Sequence, residues 1–224
     1  MRSVGILGGM GPQATLLLMK KVFEAVSAKD DNQHIPLVVH QNTQVPSRIK
    51  FIIDGGQDNP LPVLRKMACD LTTLGCDLLA MPCNTAHFFY QEIASNVDVP
   101  FLNMIESSSL EIKRLGLKKV GILASPAVRL VKVFDPYFEA YGLEQVYAND
   151  AVMLNIIRNI KGNDFSTELT KDLVLESKKL IDKGCDGLLI ACTEISLLVD
   201  CIPEEFIWVD SLNSLTNQIL LEAL

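Results

Sequence analysis

The same short block occurs twice in this chain. A Gly-Cys-Asp triplet at 75–77 leads into an apolar run that ends at Cys83, and the triplet at 184–186 leads into an apolar run that ends at Cys192, 109 positions later. A Val-Gly-Ile-Leu block that begins at Val4 also returns, 116 positions further on. Because two independent blocks repeat with similar offsets, we predict that the chain contains two copies of one structural unit.

Both copies have the pattern of an α/β unit, in which apolar runs of strand length alternate with stretches of helical periodicity. We predict two similar doubly wound parallel-sheet lobes related by pseudo-two-fold symmetry, with the active site in the cleft between them. The N-terminal lobe would comprise 1–102 plus 211–224 and carry Cys83, and the C-terminal lobe would comprise 103–210 and carry Cys192. The predicted strands are 2–7, 36–41, 77–81, 99–102, 119–124, 143–147, 186–190 and 206–209, and the predicted helices are 13–28, 60–74, 85–95, 105–115, 127–141, 151–161, 167–182 and 211–223.

The composition argues against several classes of function. The formal net charge of −7 disfavours nucleic acid or an anionic membrane as the partner. No apolar stretch reaches transmembrane length and the first residues lack the pattern of a secretory signal, so we expect a cytoplasmic location with reduced thiols. None of the six cysteines forms a C-x-x-C pair, which argues against a zinc or thioredoxin-like site.

Cys83 and Cys192 differ from the other cysteines in their position. Each ends a predicted buried strand and precedes residue types that cap helices, and ligands of open α/β sheets bind at this edge. Helix N-termini there should favour the thiolate form. With two-fold symmetry, the two thiols would face one ligand from opposite sides, the geometry needed to remove a proton from one face of a stereocentre and return one to the other.

A purely structural interpretation remains open, because the fold could repeat two buried core thiols without using them. Cys76 and Cys185 repeat as well, but they precede the predicted strands, where no ligand site is expected. We therefore interpret Cys76 and Cys185 as structural. A redox protein that forms a reversible Cys83–Cys192 disulfide is a further alternative.

Three segments are informative together, namely Gly5–Pro12 (GILGGMGP), Met81–His87 (MPCNTAH) and Ala191–Ile195 (ACTEI). They closely resemble the aspartate/glutamate racemase superfamily, in particular its aspartate racemase branch, and the resemblance covers essentially the whole chain. The resemblance implies a two-lobed fold and racemisation of aspartate, in preference to glutamate, without pyridoxal phosphate, metal or other cofactor. It also implies a homodimer, with Cys83 and Cys192 as the catalytic thiols.

The resemblance also suggests the residues that bind the substrate. Arg48 matches an arginine that aspartate racemases place against the substrate, and Lys161 is similar to a lysine used for the same purpose. Arg48 could pair with a carboxylate in a planar bidentate contact, whereas Lys161 would act as a point charge. The other predicted binding residues are Met10, Asn84, Thr85, Thr193 and Glu194. Two departures put the side-chain specificity in question, namely Ser47, where the family often has an acidic residue, and the Ser125-Pro126 loop.

Two other sequence features, the glycine loop and His87, each have a functional and a structural interpretation. The loop from Gly9 satisfies the G-x-G-x-x-A dinucleotide pattern, but the acidic residue expected at the end of the second strand is missing, so we favour close backbone approach to a small carboxylate. His87 could pair with Cys83, although a structural role is favoured.

Two alternative functions remain open. One is another reaction of the superfamily, such as hydantoin racemisation, maleate isomerisation or arylmalonate decarboxylation, and the other is that of a non-catalytic protein that binds an acidic ligand.

Overall fold

The computed structural model describes residues 1–224 as an alternation of strands and helices. The strands are Val4–Gly8 (β1), Leu37–Gln41 (β2), Leu78–Ala80 (β3), Lys119–Ala124 (β4), Glu144–Tyr147 (β5), Gly187–Ala191 (β6) and Trp208–Asp210 (β7). The helices are Pro12–Ala25 (α1), Arg48–Ile53 (α2), Leu61–Thr73 (α3), Tyr90–Ala94 (α4), Met104–Arg114 (α5), Pro126–Leu130 (α6), Asp135–Tyr141 (α7), Asp150–Lys161 (α8), Thr167–Asp182 (α9) and Ser211–Ala223 (α10). Short 3₁₀ helices cover Asp31–Gln33, Thr85–Phe89 and Ile195–Cys201.

The strands form two parallel sheets with equivalent topology. The first has the order β2-β1-β3 and the second the order β5-β4-β6-β7. The strand that comes first in the sequence of each sheet, β1 or β4, lies between two neighbours, and every pairing is parallel. The predicted α/β class with two doubly wound parallel sheets is confirmed. The division of the chain into lobes at 102/103 and 210/211 stays a prediction.

The repeated Gly-Cys-Asp triplets perform the same structural task in both copies. Gly75 and Gly184 follow α3 and α9 with φ of +85° and +81°, a backbone conformation that favours glycine where a helix ends. The cysteine of each triplet is buried beside the sheet. The aspartate side chain then accepts hydrogen bonds from backbone N–H groups at the start of the first strand of its sheet. In the first copy the donor is Ser3, at 2.7 Å, and in the second copy the donors are Lys118 and Lys119, at 2.9 and 2.8 Å. The repeat therefore encodes the turn that returns the chain to the sheet.

Three predicted elements differ from the structure. Instead of a strand at 99–102 there is one bridge between Leu79 and Phe101, because Pro100 has no N–H to donate to a ladder. The helix predicted at 127–141 is split into α6 and α7, with Lys132 at φ +53° between them and Pro136 in the first turn of α7, the part of a helix that tolerates proline. The helix predicted at 85–95 begins as a 3₁₀ helix before α4.

Helix α2 was not predicted, although its N-terminus had a sequence signal. Ser47 is the N-cap residue, and its Oγ accepts the Lys50 N–H at 3.3 Å. Serine is among the preferred N-cap residues because its oxygen satisfies an N–H that has no partner inside the helix. With only six residues, the helix was too short to show a helical period in the sequence. The first residue of α2 is Arg48, so the N-cap fixes the backbone position from which the Arg48 side chain extends.

The two sheets contribute to one shared core. A cluster of 25 buried residues takes Ile6 from β1 and Ile122 from β4, together with apolar side chains of α5 and α10 such as Ile112 and Leu215. Helices α5 and α10 pack directly against each other. Asn103 and Asp210 cap these two helices, each accepting N–H groups of the first turn. Separate clusters of 17 and 15 residues surround Cys192 and Cys83. No helix combines the length and hydropathy that a membrane span requires.

Candidate active site

The glycine loop after β1 brings backbone atoms to the carboxyl edge of the first sheet. Gly9 has φ +91°, and a Cβ atom there would lie 2.4 Å from the backbone of Asn42, so only glycine fits. Met10 follows and is buried. Pro12 then begins α1, where its missing N–H costs nothing. Gly9 is thus explained by close packing on the segment that follows β2.

Cys83 and Cys192 follow the equivalent strands β3 and β6 and meet at one small cavity. Both residues are buried, with 6% and 7% of their surface exposed. The cavity they line has a volume of about 20 Å³, close to the space of one water molecule. The structure thus brings the two predicted thiols to one place in a closed site. The other lining residues are Met10, Arg48, Ile49, Thr85, Ser125, Ile157, Lys161 and Glu194.

A second, open cavity of about 380 Å³ adjoins the closed one, a size in the usual range for small-molecule sites. Met10, Arg48, Lys161 and Glu194 line both cavities, so the two cavities meet at these four residues. The outer cavity is further lined by Gly9, Gly11, Pro12, Gln13, Ala14, Thr43, Val45 and Ser47.

The Cys192 thiol is held in its protonated form. Burial is the main cause that raises the pKa of this thiol well above its ordinary range, and the Glu194 carboxylate adds to the effect. The sulfur donates a hydrogen bond to Glu194 Oε2 at 3.1 Å. The prediction that a helix N-terminus would favour the thiolate is wrong for Cys192, because desolvation outweighs the weak dipole of the short 3₁₀ helix that follows.

Glu194 connects the thiol with the outer cavity. Its Oε1 lies 3.3 Å from Lys161 Nζ, in an ion pair without hydrogen-bond geometry. The Glu194 side chain is 8% exposed, whereas that of Lys161 is 37% exposed. Lys161 is the last residue of α8 and is placed by that helix end. The two predicted binding residues are thus paired with each other in the closed site.

Arg48 is buried and directed at backbone oxygens. Its Nη2 donates to the Met10 carbonyl at 3.1 Å, and its Nη1 donates to the Pro46 and Val45 carbonyls at 3.1 and 3.4 Å. Its Nε has no partner. The structure thus leaves one N–H of a buried guanidinium unpaired, in a side chain that lines the same cavity as the two thiols.

Three of the predicted binding residues make hydrogen bonds or close contacts that tie the cysteine loops to other parts of the chain. Thr193 Oγ1 donates to the Pro82 carbonyl at 3.1 Å, and Asn84 Nδ2 donates to Ser211 Oγ at 2.9 Å. Neither Thr193 nor Asn84 lines either cavity. Thr85 lines the closed cavity, and its hydroxyl lies 3.3 Å from that of Ser125 at the end of β4. The Thr193 contact thus joins the two cysteine loops, and the other two fasten the Cys83 loop to α10 and to the end of β4.

Asp210 was not predicted as part of the site, yet it joins the Cys192 loop to α10. Its Oδ1 accepts hydrogen bonds from Ser196 Oγ at 2.7 Å and from the Leu212 N–H at 3.0 Å, while its Oδ2 has no partner. Burial raises the pKa of Asp210 to about 6, against the lowering effect of these two bonds. Its position at the carboxyl end of β7, the same edge as both cysteines, was the signal available in the sequence.

Asp210→Asn is expected to flatten the pH dependence of stability. The folded protein binds the Asp210 proton more tightly than the unfolded chain, whose carboxyl has a pKa of 3.8. Stability from this group is therefore present at low pH and falls as the pH rises from about 4 to about 6, by an amount of order 3 kcal/mol. Asparagine keeps the Oδ1 acceptor but carries no charge. Urea unfolding across this interval measures the effect, and identical curves for both proteins would contradict it.

His87 has a structural environment. Its Nε2 accepts the Met104 N–H at 3.2 Å, so the proton lies on Nδ1, which donates to the Cys83 carbonyl at 2.9 Å. Burial lowers the pKa of His87 to about 4, which keeps the ring neutral. Both nitrogens are therefore occupied by backbone groups, and neither contacts a thiol. No group of three or more His, Cys, Asp or Glu side chains has the arrangement of a metal site.

The sequence of this chain is similar to those of known racemases. The family model described as Asp/Glu/Hydantoin racemase matches residues 7–219. The broad specificity amino-acid racemase RacX of Bacillus subtilis is 26% identical over 214 residues, which cover 93% of this chain and 92% of the relative.

Two solved structures superpose on the whole chain. The aspartate racemase of Picrophilus torridus has a TM-score of 0.85 and 25% identity, over 100% of this chain and 94% of the other. An aspartate racemase homologue from Pyrococcus horikoshii has the same fold, with a TM-score of 0.77 and 24% identity over 100% and 99% of the two chains. The Bacillus subtilis and Picrophilus torridus relatives are both named as amino-acid racemases. The chain therefore belongs to the Asp/Glu/hydantoin racemase family and is an amino-acid racemase.

Proposed function

We propose that this amino-acid racemase interconverts L- and D-aspartate, and glutamate less well, by two-base proton transfer at Cα without a cofactor. The observation that carries the proposal is that Cys83 and Cys192, from equivalent strands of the two sheets, line one closed cavity. Two acid/base groups of the same chemistry on opposite sides of one carbon are what inversion of a stereocentre requires. The aspartate racemase of Picrophilus torridus supports the choice of substrate.

The protonation state of Cys192 defines one direction of the reaction. Because burial raises its pKa, Cys192 acts as the acid, and inversion in this direction then requires Cys83 to act as the base. Cys83 removes the Cα proton, the electron pair remains on the carbanion-like Cα, and Cys192 donates its proton to the opposite face. The product is the other enantiomer, with Cys83 now a thiol and Cys192 a thiolate. The reverse reaction exchanges these roles, and the two titrations are coupled.

Arg48 and Lys161 are the cations that would bind the substrate carboxylates. The free Nε–H of Arg48 gives a carboxylate a first donor, and release of a backbone carbonyl would add a second. Lys161 can leave Glu194 for a substrate carboxylate, since its side chain already reaches the outer cavity. A cavity of about 20 Å³ is too small for aspartate, so binding between the two thiols requires the cavity to widen.

Incubating either aspartate enantiomer with the protein in heavy water is expected to place one deuterium at Cα of the product. The proton removed stays on the first thiol, while the proton delivered comes from a second thiol that has equilibrated with solvent. Mass spectrometry combined with chiral chromatography measures both inversion and label. Inversion without label, or the absence of turnover with every acidic amino acid, would contradict the mechanism.

A broader substrate range is the second candidate. The Bacillus subtilis relative is named a broad specificity amino-acid racemase. Ser47 lines the outer cavity as an uncharged N-cap residue, where the family often has an acid. The same chiral assay with a panel of neutral, basic and acidic amino acids separates the candidates, and adding hydantoins, maleate and arylmalonates tests the other reactions of the superfamily. Stabilisation by acidic ligands without turnover would indicate a binding protein instead.

The homodimer stays a proposal as well. Sedimentation equilibrium of the purified protein would distinguish a dimer from a monomer directly.

A further inference from the structure

A two-base racemase must restore its thiols after each turnover. Under the proposed function, on which this inference rests, product release leaves Cys83 as the thiol and Cys192 as the thiolate, the reverse of the starting state. The next substrate of the same handedness reacts only after one proton has left Cys83 and one has reached Cys192. Cys192 is buried, so its reprotonation needs a route through the protein.

The structure contains such a route on the Cys192 side. Glu194 Oε2 accepts the Cys192 S–H at 3.1 Å. Glu194 Oε1 lies on the other side of the same carboxylate, against Gly11, where a Cβ atom would be 3.3 Å away, and 3.3 Å from Lys161 Nζ. It is buried and accepts no hydrogen bond. Gly11 and Lys161 both line the outer cavity.

We propose that Glu194 exchanges the Cys192 proton with solvent in the outer cavity. In the deprotonating step the S–H bond breaks, an O–H bond forms at Oε2, and the electron pair stays on sulfur. A half-turn of the carboxyl group then brings the proton to the Lys161 side, where a water molecule accepts it as hydronium. Reprotonation of Cys192 follows the same steps in reverse. Lys161 stabilises the carboxylate between transfers, and lining both cavities is what allows Glu194 to serve both.

The Cys83 side has no equivalent group. The Cys83 sulfur has no hydrogen bond to an acidic side chain, and His87, the nearest titratable residue in sequence, bonds the Cys83 carbonyl instead. Glu194 therefore acts on one member of the pair. Its loss would slow the restoring step rather than the proton transfers at Cα.

Glu194→Gln tests the proposal because glutamine keeps the size of the side chain but cannot carry the proton. The restoring step occurs in free enzyme, so it limits kcat but not kcat/KM. We expect kcat to fall by about 10²-fold, as for loss of a general acid/base. KM should fall in parallel, and kcat/KM should stay nearly unchanged. Misplacement of Cys192 would instead lower kcat/KM together with kcat, and that result, or wild-type kinetics, would overturn the proposal.

A second variant makes the test independent of how well glutamine fits. Glu194→Ala leaves space for formate, and added formate should recover much of its kcat, since a small carboxylate can replace the missing proton carrier. Absence of recovery, in a variant shown by circular dichroism to be folded, would overturn the inference.

Glu176→Gln is the matched control. Glu176 is also a buried glutamate paired with a partly exposed lysine, with Lys179 Nζ 2.7 Å from its Oε1, but it lines neither cavity. This variant should lose thermal stability and keep wild-type kcat and KM. A wild-type protein inactive on every amino acid would remove the proposed function and this inference with it. An active wild type whose kinetics Glu194→Gln leaves unchanged would remove only the inference.

Discussion

Cys83→Ser and Cys192→Ser are each expected to reduce interconversion of the enantiomers by about 10³-fold or more, because a serine hydroxyl neither forms an anion near neutral pH nor replaces a thiol as acid. Each variant should keep the chemistry of its remaining thiol. That thiol can still remove the Cα proton on its own face, exchange it with solvent and return it to the same face. In heavy water, one variant should therefore label only the L enantiomer and the other only the D enantiomer, both without inversion.

The buried cysteines of the repeated triplets provide the controls. Cys76 and Cys185 are as buried as the site thiols but line neither cavity. Cys76→Ser and Cys185→Ser should keep wild-type kcat/KM and lose about 1–3 kcal/mol of unfolding free energy, because a hydroxyl replaces a small apolar group in the core. Full interconversion by either site variant would remove that thiol from the mechanism.

Arg48→Lys is expected to have the second largest effect. Lysine keeps the charge but cannot form the planar bidentate contact, and the loss of a charged hydrogen bond of about 1.5–3 kcal/mol corresponds to a fall in kcat/KM of roughly 10- to 150-fold. Part of the effect should come from the Met10 loop, since Arg48 Nη2 bonds the Met10 carbonyl. Steady-state kinetics with aspartate measures the loss, and thermal shifts with a non-reacting dicarboxylate measure binding alone.

Arg129→Lys is the corresponding control. Arg129 lies in α6, pairs with Asp150 at 3.1 Å and lines neither cavity. Its replacement should leave kcat/KM and the dicarboxylate shift unchanged. If Arg48→Lys behaves in the same way, Arg48 does not bind a substrate carboxylate.

Much of the fold was predictable because it depends on local patterns. Strand-length apolar runs and helical periodicity identified the parallel sheets, and the repeated triplet identified the two copies. Where the prediction was wrong, local chemistry had overridden the pattern, as at Pro100, which reduces a strand to one bridge, and between α6 and α7. Helix α2 was missed because six residues give no period.

The candidate site was only partly predictable. Placing Cys83 and Cys192 at the carboxyl ends of strands followed from the order of elements. The partners of Asn84 and Thr193 did not follow, because those contacts join residues 127 and 111 positions apart. The ionisation of Cys192 was predicted in the wrong direction, since burial depends on what packs over the thiol.

The sequence by itself determined the repeat, the α/β class and the pair of thiols at equivalent strand ends, because these depend on residue order and on periods of a few residues. Only the tertiary structure decided that the thiols line one small cavity, that Glu194 and Lys161 line both this cavity and the open one, and that Asp210 lies buried at the same edge. The physical reason is that desolvation and hydrogen-bond partners arise from contacts across the fold, which no local pattern encodes.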